Sequence, residues 1–220
     1  MSWTIVVLTP HLQMSDLTPA SSDLADDQDN PIGGAVFYVD GKPQLGKNIE
    51  GDDTFPVPLV GEAQRGKLVY ESMGCMYCHT QQVRRKGFGA DFERGWGERQ
   101  SVPRDYILQD RVMLGSMRTG PDLTNVGTRY TEEWHYQHLY NAQITSRVED
   151  KISTMPPFPF LFEIREVSEN FGPSPDAVDM GAYNPGPGYE VVPTQRAKDL
   201  VAYLMNLKQD YELPEMKFSE

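Results

Sequence analysis

Residues 75–79 read Cys75-Met76-Tyr77-Cys78-His79, and they contain the only two cysteines among the 220 residues. The pattern C-x-x-C-H is the attachment signature of a c-type haem, in which two thiols add to the porphyrin vinyl groups and the adjacent histidine ligates the iron. The sequence has no second cysteine pair that would complete a four-cysteine zinc site. A thioredoxin-like redox disulfide and a chance match to the pattern are the remaining alternatives. The motif therefore predicts one covalent haem c, bound by Cys75, Cys78 and His79.

The composition agrees with a small core and extensive loops. The chain is 39% hydrophobic and contains 17 prolines and 19 glycines. A haem supplies much of a core by itself, so that about 100 residues can fold around it. The net charge of −12 excludes nucleic acid as a partner, because the chain has no basic stripe to displace phosphate counterions. An acidic surface fits positively charged redox partners, and it also serves solubility alone.

Two helices are predicted at the ends of this core. The first spans residues 62–73, where apolar residues recur at helical spacing before Gly74. The second spans residues 194–207, where a capping threonine precedes apolar residues at i, i+3, i+4 and i+7. Helices that cross tightly need a small residue at the contact, and Gly66 and Tyr203 are predicted to meet there.

Acidic stretches rich in turn-forming residues surround the core. Residues 15–60 predict an extended acidic arm, with a hairpin around residues 35–39 and the turn Asp40-Gly41. Residues 163–192 form a Pro/Gly-rich loop, long enough to be an interaction surface or a flexible insertion. The predicted haem domain is therefore residues 61–208 with this insertion, and residues 209–220 are a C-terminal tail.

The N-terminal residues are relevant to the cellular location of the protein. Haem attachment to C-x-x-C-H takes place outside the bacterial inner membrane, so the predicted location is the periplasmic face of that membrane. The apolar run of residues 3–8 is far shorter than the roughly 20 residues of a membrane-spanning helix. It also lacks the flanks of a signal peptide. Residues 1–14 are therefore either a surface strand or the outer end of a membrane helix.

A methionine is predicted as the second axial ligand of the iron. Met155 lies in residues 153–160 (STMPPFPF), where prolines stiffen a loop that has to hold a weak thioether ligand. His135 and His138 share one face of a predicted helix without a carboxylate, which favours a structural role or contact with the haem edge over a metal site. The other methionines that we interpret as core residues are Met113, Met117, Met180 and Met205.

Residues 115–123 (GSMRTGPDL) are predicted to support the haem. An iron-ligating imidazole needs an acceptor for its second ring N–H, and the carbonyl of Pro121 is the predicted acceptor. Arg118 is suited to pair with a haem propionate, because its guanidinium is planar and permanently charged. A surface ion pair of Arg118 with Asp122 or another neighbouring residue is the alternative.

Together these residues resemble the class I cytochrome c fold over residues 61–162 and 193–208. The resemblance rests on an N-terminal helix, C-x-x-C-H, a Gly-Pro loop, a methionine loop and a C-terminal helix. The predicted fold class is therefore mainly α, a class I cytochrome c-like helical domain around one covalent haem c, with long irregular acidic excursions.

Four runs in order more closely resemble the mono-haem subunit (subunit II) of cbb3-type cytochrome c oxidases. They are residues 74–84 (GCMYCHTQQVR), 115–123 (GSMRTGPDL), 130–135 (YTEEWH) and 155–161 (MPPFPFL). The resemblance implies a non-catalytic electron-transfer subunit, whose haem c receives electrons from a c-type cytochrome donor or a di-haem subunit. It passes them to the haem b of the catalytic haem-copper subunit.

The same resemblance implies how the chain associates with the membrane and its partner. The family has one N-terminal membrane helix, so residues 3–13 correspond to the periplasmic exit of that anchor. Membrane association then comes through a missing anchor helix or through the partner. Ser116 matches the position thought to reach a calcium ion in the catalytic subunit. Two departures, Arg85 for proline and Leu114 for tryptophan, fall near the expected interface.

Three alternatives stay open from the sequence. They are the small cytochrome c subunit of a nitric-oxide reductase, a free periplasmic cytochrome c carrier, and a haem sensor in which Met155 is displaced. Residues 80–84 (TQQVR) and 118–122 (RTGPD) favour the oxidase subunit over the reductase subunit.

Overall fold

The structure is a computed structural model that describes residues 58–146 and 153–211 continuously. Before them it describes residues 8, 9, 12, 17, 20–25, 31–33, 36–39, 42–45 and 54–56. The chain forms two compact units. The first contains residues 1–58, 83–112 and 209–220, and the second contains residues 59–82 and 113–208. Residues 83–112, which the sequence analysis includes in the domain 61–208, therefore group with the first unit.

Within the described residues, the first unit contains five short strands. Strand β1 (Ala20–Ala25) pairs antiparallel with β2 (Pro31–Gly33) and with β5 (Thr54–Phe55). Strands β3 (Val36–Val39) and β4 (Lys42–Leu45) form a separate antiparallel pair in which Val39 lies opposite Lys42. The run Val36 to Val39 is β-branched and aromatic, which favours an extended backbone. The hairpin predicted around residues 35–39 is confirmed by this pairing.

Buried ion pairs organise residues 83–112 within the first unit. Arg99 and Asp105 lie 2.7 Å apart, and both side chains are almost fully buried. The backbone nitrogen of Val102 donates to the same carboxylate at 2.8 Å, at the start of a 3-10 turn over Pro103–Tyr106. Such a pair is stable only when further hydrogen bonds satisfy the buried carboxylate, as they do here.

The second unit is built on helices α1 (Gly61–Ser72), α2 (Val126–Arg129), α3 (Glu132–Tyr140) and α4 (Gln195–Met205). The threonine hydroxyl before α4 accepts a hydrogen bond from Ala197. Both helices predicted from the sequence, at residues 62–73 and 194–207, are confirmed to within two residues at each end. The class I cytochrome c fold stays a prediction.

Helices α1 and α4 cross at Gly66. A Cβ atom at Gly66 would lie 1.8 Å from the Asp199 carbonyl oxygen and 2.7 Å from the Tyr203 Cβ, so only glycine allows this approach. The rings of Tyr70 and Tyr203 lie 5.3 Å apart beside the crossing. Arg65 fixes the same contact from outside, since its Nη2 donates to the Asp199 carboxylate at 2.8 Å. The predicted meeting of Gly66 and Tyr203 is confirmed.

The ends of the predicted loop 163–192 pair as a small sheet. Strand β6 (Phe162–Glu166) runs antiparallel to β7 (Tyr189–Pro193), with Ile164 opposite Val191. The sequence analysis missed these strands because four of the five β6 residues are exposed, so the strand carries little apolar signal. Buried Val191 and Val192 attach the sheet to the core.

Three of the four methionines that the sequence analysis interprets as core residues lie in or against the core. Met113 and Met180 are fully buried, and Met205 packs against the core cluster. Met117 is 56% exposed, so its interpretation as a core residue is wrong. Met117 belongs to an irregular stretch between Gly115 and Gly120, where no helix or strand directs the side chain inward.

The predicted anchor segment, residues 3–13, lies largely outside the described residues. Within the part of the chain that the structure describes, no helix combines the length and the apolar character needed to cross a bilayer.

Candidate haem-binding site

The C-x-x-C-H residues form a tight turn directly after α1. Gly74 takes a left-handed conformation with φ of 72°, which glycine adopts without steric cost. A 3-10 turn follows over Cys75–Tyr77, and the backbone nitrogen of His79 donates to the Cys75 carbonyl at 3.0 Å. This turn brings the two cysteines and the histidine onto one short stretch of backbone.

The two cysteines are free thiols rather than a disulfide. Cys75 is half-buried, and Cys78 is exposed. Burial raises the pKa of the Cys75 thiol to about 11, so this thiol carries its proton at neutral pH. Each thioether forms by the net addition of one S–H across a vinyl group, so attachment requires reduced cysteines rather than a disulfide.

His79 has a fixed ring orientation. Its Nδ1 lies 2.7 Å from the Pro121 carbonyl oxygen, and a carbonyl can only accept, so Nδ1 carries the hydrogen. The pKa of His79 is lowered, mainly by burial. The ring is therefore neutral, and Nε2 keeps a lone pair that can bind a metal. A Cβ atom at Gly120 would lie 2.2 Å from the imidazole Cε1, so the ring packs directly on glycine backbone. This hydrogen bond is the one predicted for Pro121.

A buried carboxylate joins the two chain segments beside His79. Asp122 accepts hydrogen bonds from the Thr80 hydroxyl at 2.5 Å and from the backbone nitrogens of Gln82 and Thr124, each at 2.9 Å. Arg118 lies 3.6 Å from this carboxylate and donates to the Thr80 hydroxyl and the Gln82 carbonyl. The alternative left open for Arg118, an ion pair with Asp122, is therefore formed, whereas its contact with a propionate stays a prediction.

Two cavities lie beside His79, with volumes of about 170 Å³ and about 510 Å³. The larger volume falls within the range of roughly 300–1,000 Å³ that is usual for small-molecule and cofactor sites. Five residues line both cavities: Cys75, His79, Pro121, His138 and Met155. Residues from the motif, the Gly-Pro turn and the methionine loop thus meet around one space.

The loop that carries Met155 is held mainly by neutral contacts. The backbone nitrogen of Met155 donates to the Ser153 hydroxyl at 3.2 Å, and the Gln143 side chain donates to the Ser153 carbonyl at 3.3 Å. Farther along, the backbone nitrogen of Phe158 donates to the Leu139 carbonyl at 2.9 Å. Met155 itself packs against the core cluster.

The chemistry of the cavities fits a haem. Among the described residues, no aspartate or glutamate lines either cavity, and Arg129 lines the smaller one. An apolar space with a guanidinium in its wall matches an apolar macrocycle that carries carboxylates. The apolar lining of the smaller cavity includes Leu123, Val126, Leu139, Leu200 and Leu204.

The structure adds an aromatic stack that the sequence analysis missed. The Trp134 ring lies parallel to the rings of Tyr130 and His138, with centroid distances of 3.7 Å and 4.5 Å. All three rings line the smaller cavity. Their spacing of four residues along the chain is the signal that could have revealed a shared face. Arg129 was also missed, and no sequence motif marks it as a cavity residue.

His138 is neutral and held by a hydroxyl. Its Nδ1 lies 2.6 Å from the Thr145 hydroxyl oxygen, and that hydroxyl donates to the Ala142 carbonyl at 3.3 Å. Burial and the nearby His79 lower the pKa of His138 to about 4. His138 lines both cavities, and its interpretation as a structural or haem-edge residue stays a prediction.

Ser116 is exposed, and its backbone nitrogen lies 3.4 Å from the Met76 carbonyl oxygen. Within the described residues, no cluster of three or more histidine, cysteine, aspartate or glutamate side chains could hold a metal ion. The predicted contact of Ser116 with a calcium ion involves another subunit and stays a prediction.

The arrangement of two cysteines and a histidine beside an apolar cavity is typical of haem-carrying proteins. A family model described as cytochrome c oxidase, mono-heme subunit/FixO matches residues 48–180, more than half of the chain. The chain therefore belongs to the FixO family of mono-haem subunits of cytochrome c oxidases. No curated protein matches the sequence.

Membership of this family bears on the broader predictions. It makes the chain a haem-carrying electron-transport subunit of a cytochrome c oxidase, and it implies an oxidase partner. Of the alternatives that the sequence left open, the nitric-oxide reductase subunit and the free carrier are disfavoured.

Proposed function

We propose that the chain carries one haem c, attached through Cys75 and Cys78 and ligated by His79 and Met155. The haem supplies reversible one-electron oxidation and reduction, and the chain itself makes no bonds in oxygen chemistry. The observation that carries this proposal is that Met155 lines the same two cavities as Cys75 and His79 although it lies far from them in the sequence.

Each residue has a defined task in this proposal. Cys75 and Cys78 form thioethers, in which each S–H adds across one vinyl group and the hydrogen passes to the neighbouring carbon. His79 offers the Nε2 lone pair, because Nδ1 donates to Pro121. Met155 supplies a thioether ligand, which raises the potential of a haem relative to a second histidine.

The proposed place of the chain in electron transfer follows from its family. Electrons enter from a c-type cytochrome donor or a di-haem subunit and leave to the haem b of the catalytic haem-copper subunit. The proposed location is the periplasmic face of the bacterial inner membrane, because covalent attachment to C-x-x-C-H takes place there. Membrane association comes through the partner or through an anchor helix.

The attachment is tested with the full chain produced together with a cytochrome c maturation system. We expect the mass of the intact protein to rise by one haem, and a pyridine haemochrome spectrum with both vinyl groups saturated. Cys75→Ala and Cys78→Ala should each leave one vinyl group intact and shift that spectrum. The exposed Met117→Ala is the matched control. A haem that stays extractable by acid from the unmodified chain would contradict the proposal.

The partner is tested by affinity purification of the chain from solubilised membranes of the producing organism. We expect a large haem-copper subunit in the purified complex, and oxidation of the haem c by oxygen in that complex. Recovery of the chain without such a subunit would contradict the proposed place in the oxidase and favour a free carrier.

A further inference from the structure

A second imidazole shares the cavities with the two proposed iron ligands. His138 lines both cavities together with His79 and Met155, whereas His135 lines the smaller cavity and not the larger one. The plane of the His138 ring is fixed by the Trp134 ring, which stacks on it at an interplanar angle of 11° and a centroid distance of 4.5 Å. The chain therefore holds an oriented imidazole at the space proposed for the haem.

The His138 ring is held in the tautomer that a metal ligand requires. Its Nδ1 lies 2.6 Å from the hydroxyl oxygen of Thr145. That hydroxyl has one hydrogen and donates it to the Ala142 carbonyl at 3.3 Å, so it accepts from Nδ1. Nε2 of His138 therefore keeps its lone pair. The Pro121 carbonyl imposes the same arrangement on His79.

The loop that carries Met155 is attached to the chain next to this imidazole. The backbone nitrogen of Phe158 donates to the carbonyl of Leu139, the residue after His138, at 2.9 Å. Met155 itself is held by a neutral hydrogen bond of 3.2 Å to the Ser153 hydroxyl. A weakly held thioether and a nitrogen with a lone pair thus occupy neighbouring positions in one site.

We propose that Nε2 of His138 is a replacement ligand of the oxidised haem iron, which binds when Met155 dissociates. This inference rests on the proposed function, because it takes His79 and Met155 as the resting ligands. In the exchange, the bond between iron and the Met155 sulfur breaks, and a bond between iron and the His138 nitrogen forms. No electron is transferred and no proton is released, because Nε2 carries no hydrogen.

The exchange belongs to the oxidised state. A methionine ligand raises the potential of a haem relative to a second histidine, so Met155 favours reduced iron and His138 favours oxidised iron. Reduction therefore returns Met155 to the iron, and in a variant without this thioether it leaves the position open to carbon monoxide. In the oxidised chain, His138 lowers the potential and closes the position to small anions such as azide. The exchanged form accepts electrons less readily.

The test uses the oxidised, haem-loaded Met155→Ala variant in a buffer without imidazole. We expect its electron paramagnetic resonance spectrum to be low-spin with two nitrogen ligands. Adding His138→Leu should make the haem high-spin and strengthen azide binding about tenfold, as expected if His138 leaves about one tenth of the sites open. The potential of Met155→Ala should be lower than that of the double variant by the same factor, which is about 59 mV for one electron.

Further variants in the Met155→Ala background serve as controls. His135→Leu removes the competing imidazole, and Met117→Ala removes an exposed side chain, so both should stay low-spin. If His138→Leu fails to fold, His138→Gln keeps a donor for Thr145 without a ligating nitrogen and should also be high-spin. Thr145→Val removes the positioning hydroxyl and should raise the high-spin fraction without abolishing the low-spin form.

The outcomes separate the two proposals. A high-spin haem in oxidised Met155→Ala would overturn the replacement by His138 while leaving haem attachment intact. A low-spin spectrum that persists in both His138 double variants, or that disappears with His135→Leu alone, would also overturn it. Absence of covalent haem in the unmodified chain would instead refute the proposed function.

Discussion

The two sides of the haem cavity are held in different ways. We call residues 75–82 and 114–124 the histidine side, and residues 141–146 and 153–158 the methionine side. On the histidine side, the buried Asp122 collects three hydrogen bonds of 2.5–2.9 Å, and glycines pack against His79 with no room for a Cβ. On the methionine side, Met155 depends on a neutral 3.2 Å hydrogen bond to Ser153 and on packing.

The stronger support of the histidine side and the weaker support of the methionine side suit two different tasks within one site. In the proposed site, a fixed imidazole would keep the iron in place, and hydrogen bonds to a charged group are roughly twice as strong as neutral ones. A thioether is a weak ligand that depends on how well its loop is held. We therefore expect perturbations to displace Met155 before His79.

The largest effect is expected from Asp122→Asn on the histidine side. The change leaves Arg118 beside a neutral amide and weakens the bonds from Thr80 and Gln82, and loss of one partner of a buried pair costs about 3–5 kcal/mol. Denaturant unfolding of the haem-loaded protein measures this loss. Glu169→Gln, an exposed acid, is the control. A loss below about 1 kcal/mol would break the contrast, because the histidine side would then be no more tightly held than the methionine side.

A smaller effect is expected from Gly120→Ala. The added methyl group would collide with the imidazole of His79, and overpacking of this kind costs about 1–3 kcal/mol. We also expect the Nδ1 bond to Pro121 to lengthen and the spectrum of the haem to change. Met117→Ala, at an exposed position that lines neither cavity, should leave both unchanged. An unaltered spectrum in Gly120→Ala would mean that the ring is not fixed by this contact.

The smallest effect is expected from Ser153→Ala on the methionine side. Loss of the hydroxyl that accepts from Met155 should ease dissociation of the methionine by about 0.5–1.5 kcal/mol. Competition with added imidazole, followed spectroscopically, measures this change. Ser116→Ala removes an exposed hydroxyl from the histidine side and should have no effect. Equal affinities for imidazole in the two variants would refute the role of Ser153.

Local patterns predicted the parts of the site that depend on neighbours in sequence. The apolar spacing of residues 62–73 and 194–207 predicts both crossing helices, and the Gly-Pro turn predicts the Pro121 acceptor. These predictions succeed because hydrophobic periodicity and turn geometry depend on residues that are close together in the sequence.

The remaining features depend on contacts between distant segments. The Gly-Pro motif draws attention to Arg118 and no motif marks Arg129, yet packing places Arg129 at the cavity and Arg118 beside Asp122. The exposed faces of strand β6 hide its pairing with β7. No local pattern could distinguish these cases.

The most direct test of the central claim is the far-red sulfur-to-iron charge-transfer band of the oxidised, haem-loaded chain. We expect the band in the unmodified chain and in Met117→Ala, whose methionine is exposed. Met155→Ala should lose the band, keep its covalent haem and bind carbon monoxide readily when reduced. Persistence of the band in Met155→Ala, or its absence from the unmodified chain, would contradict ligation of the haem by His79 and Met155.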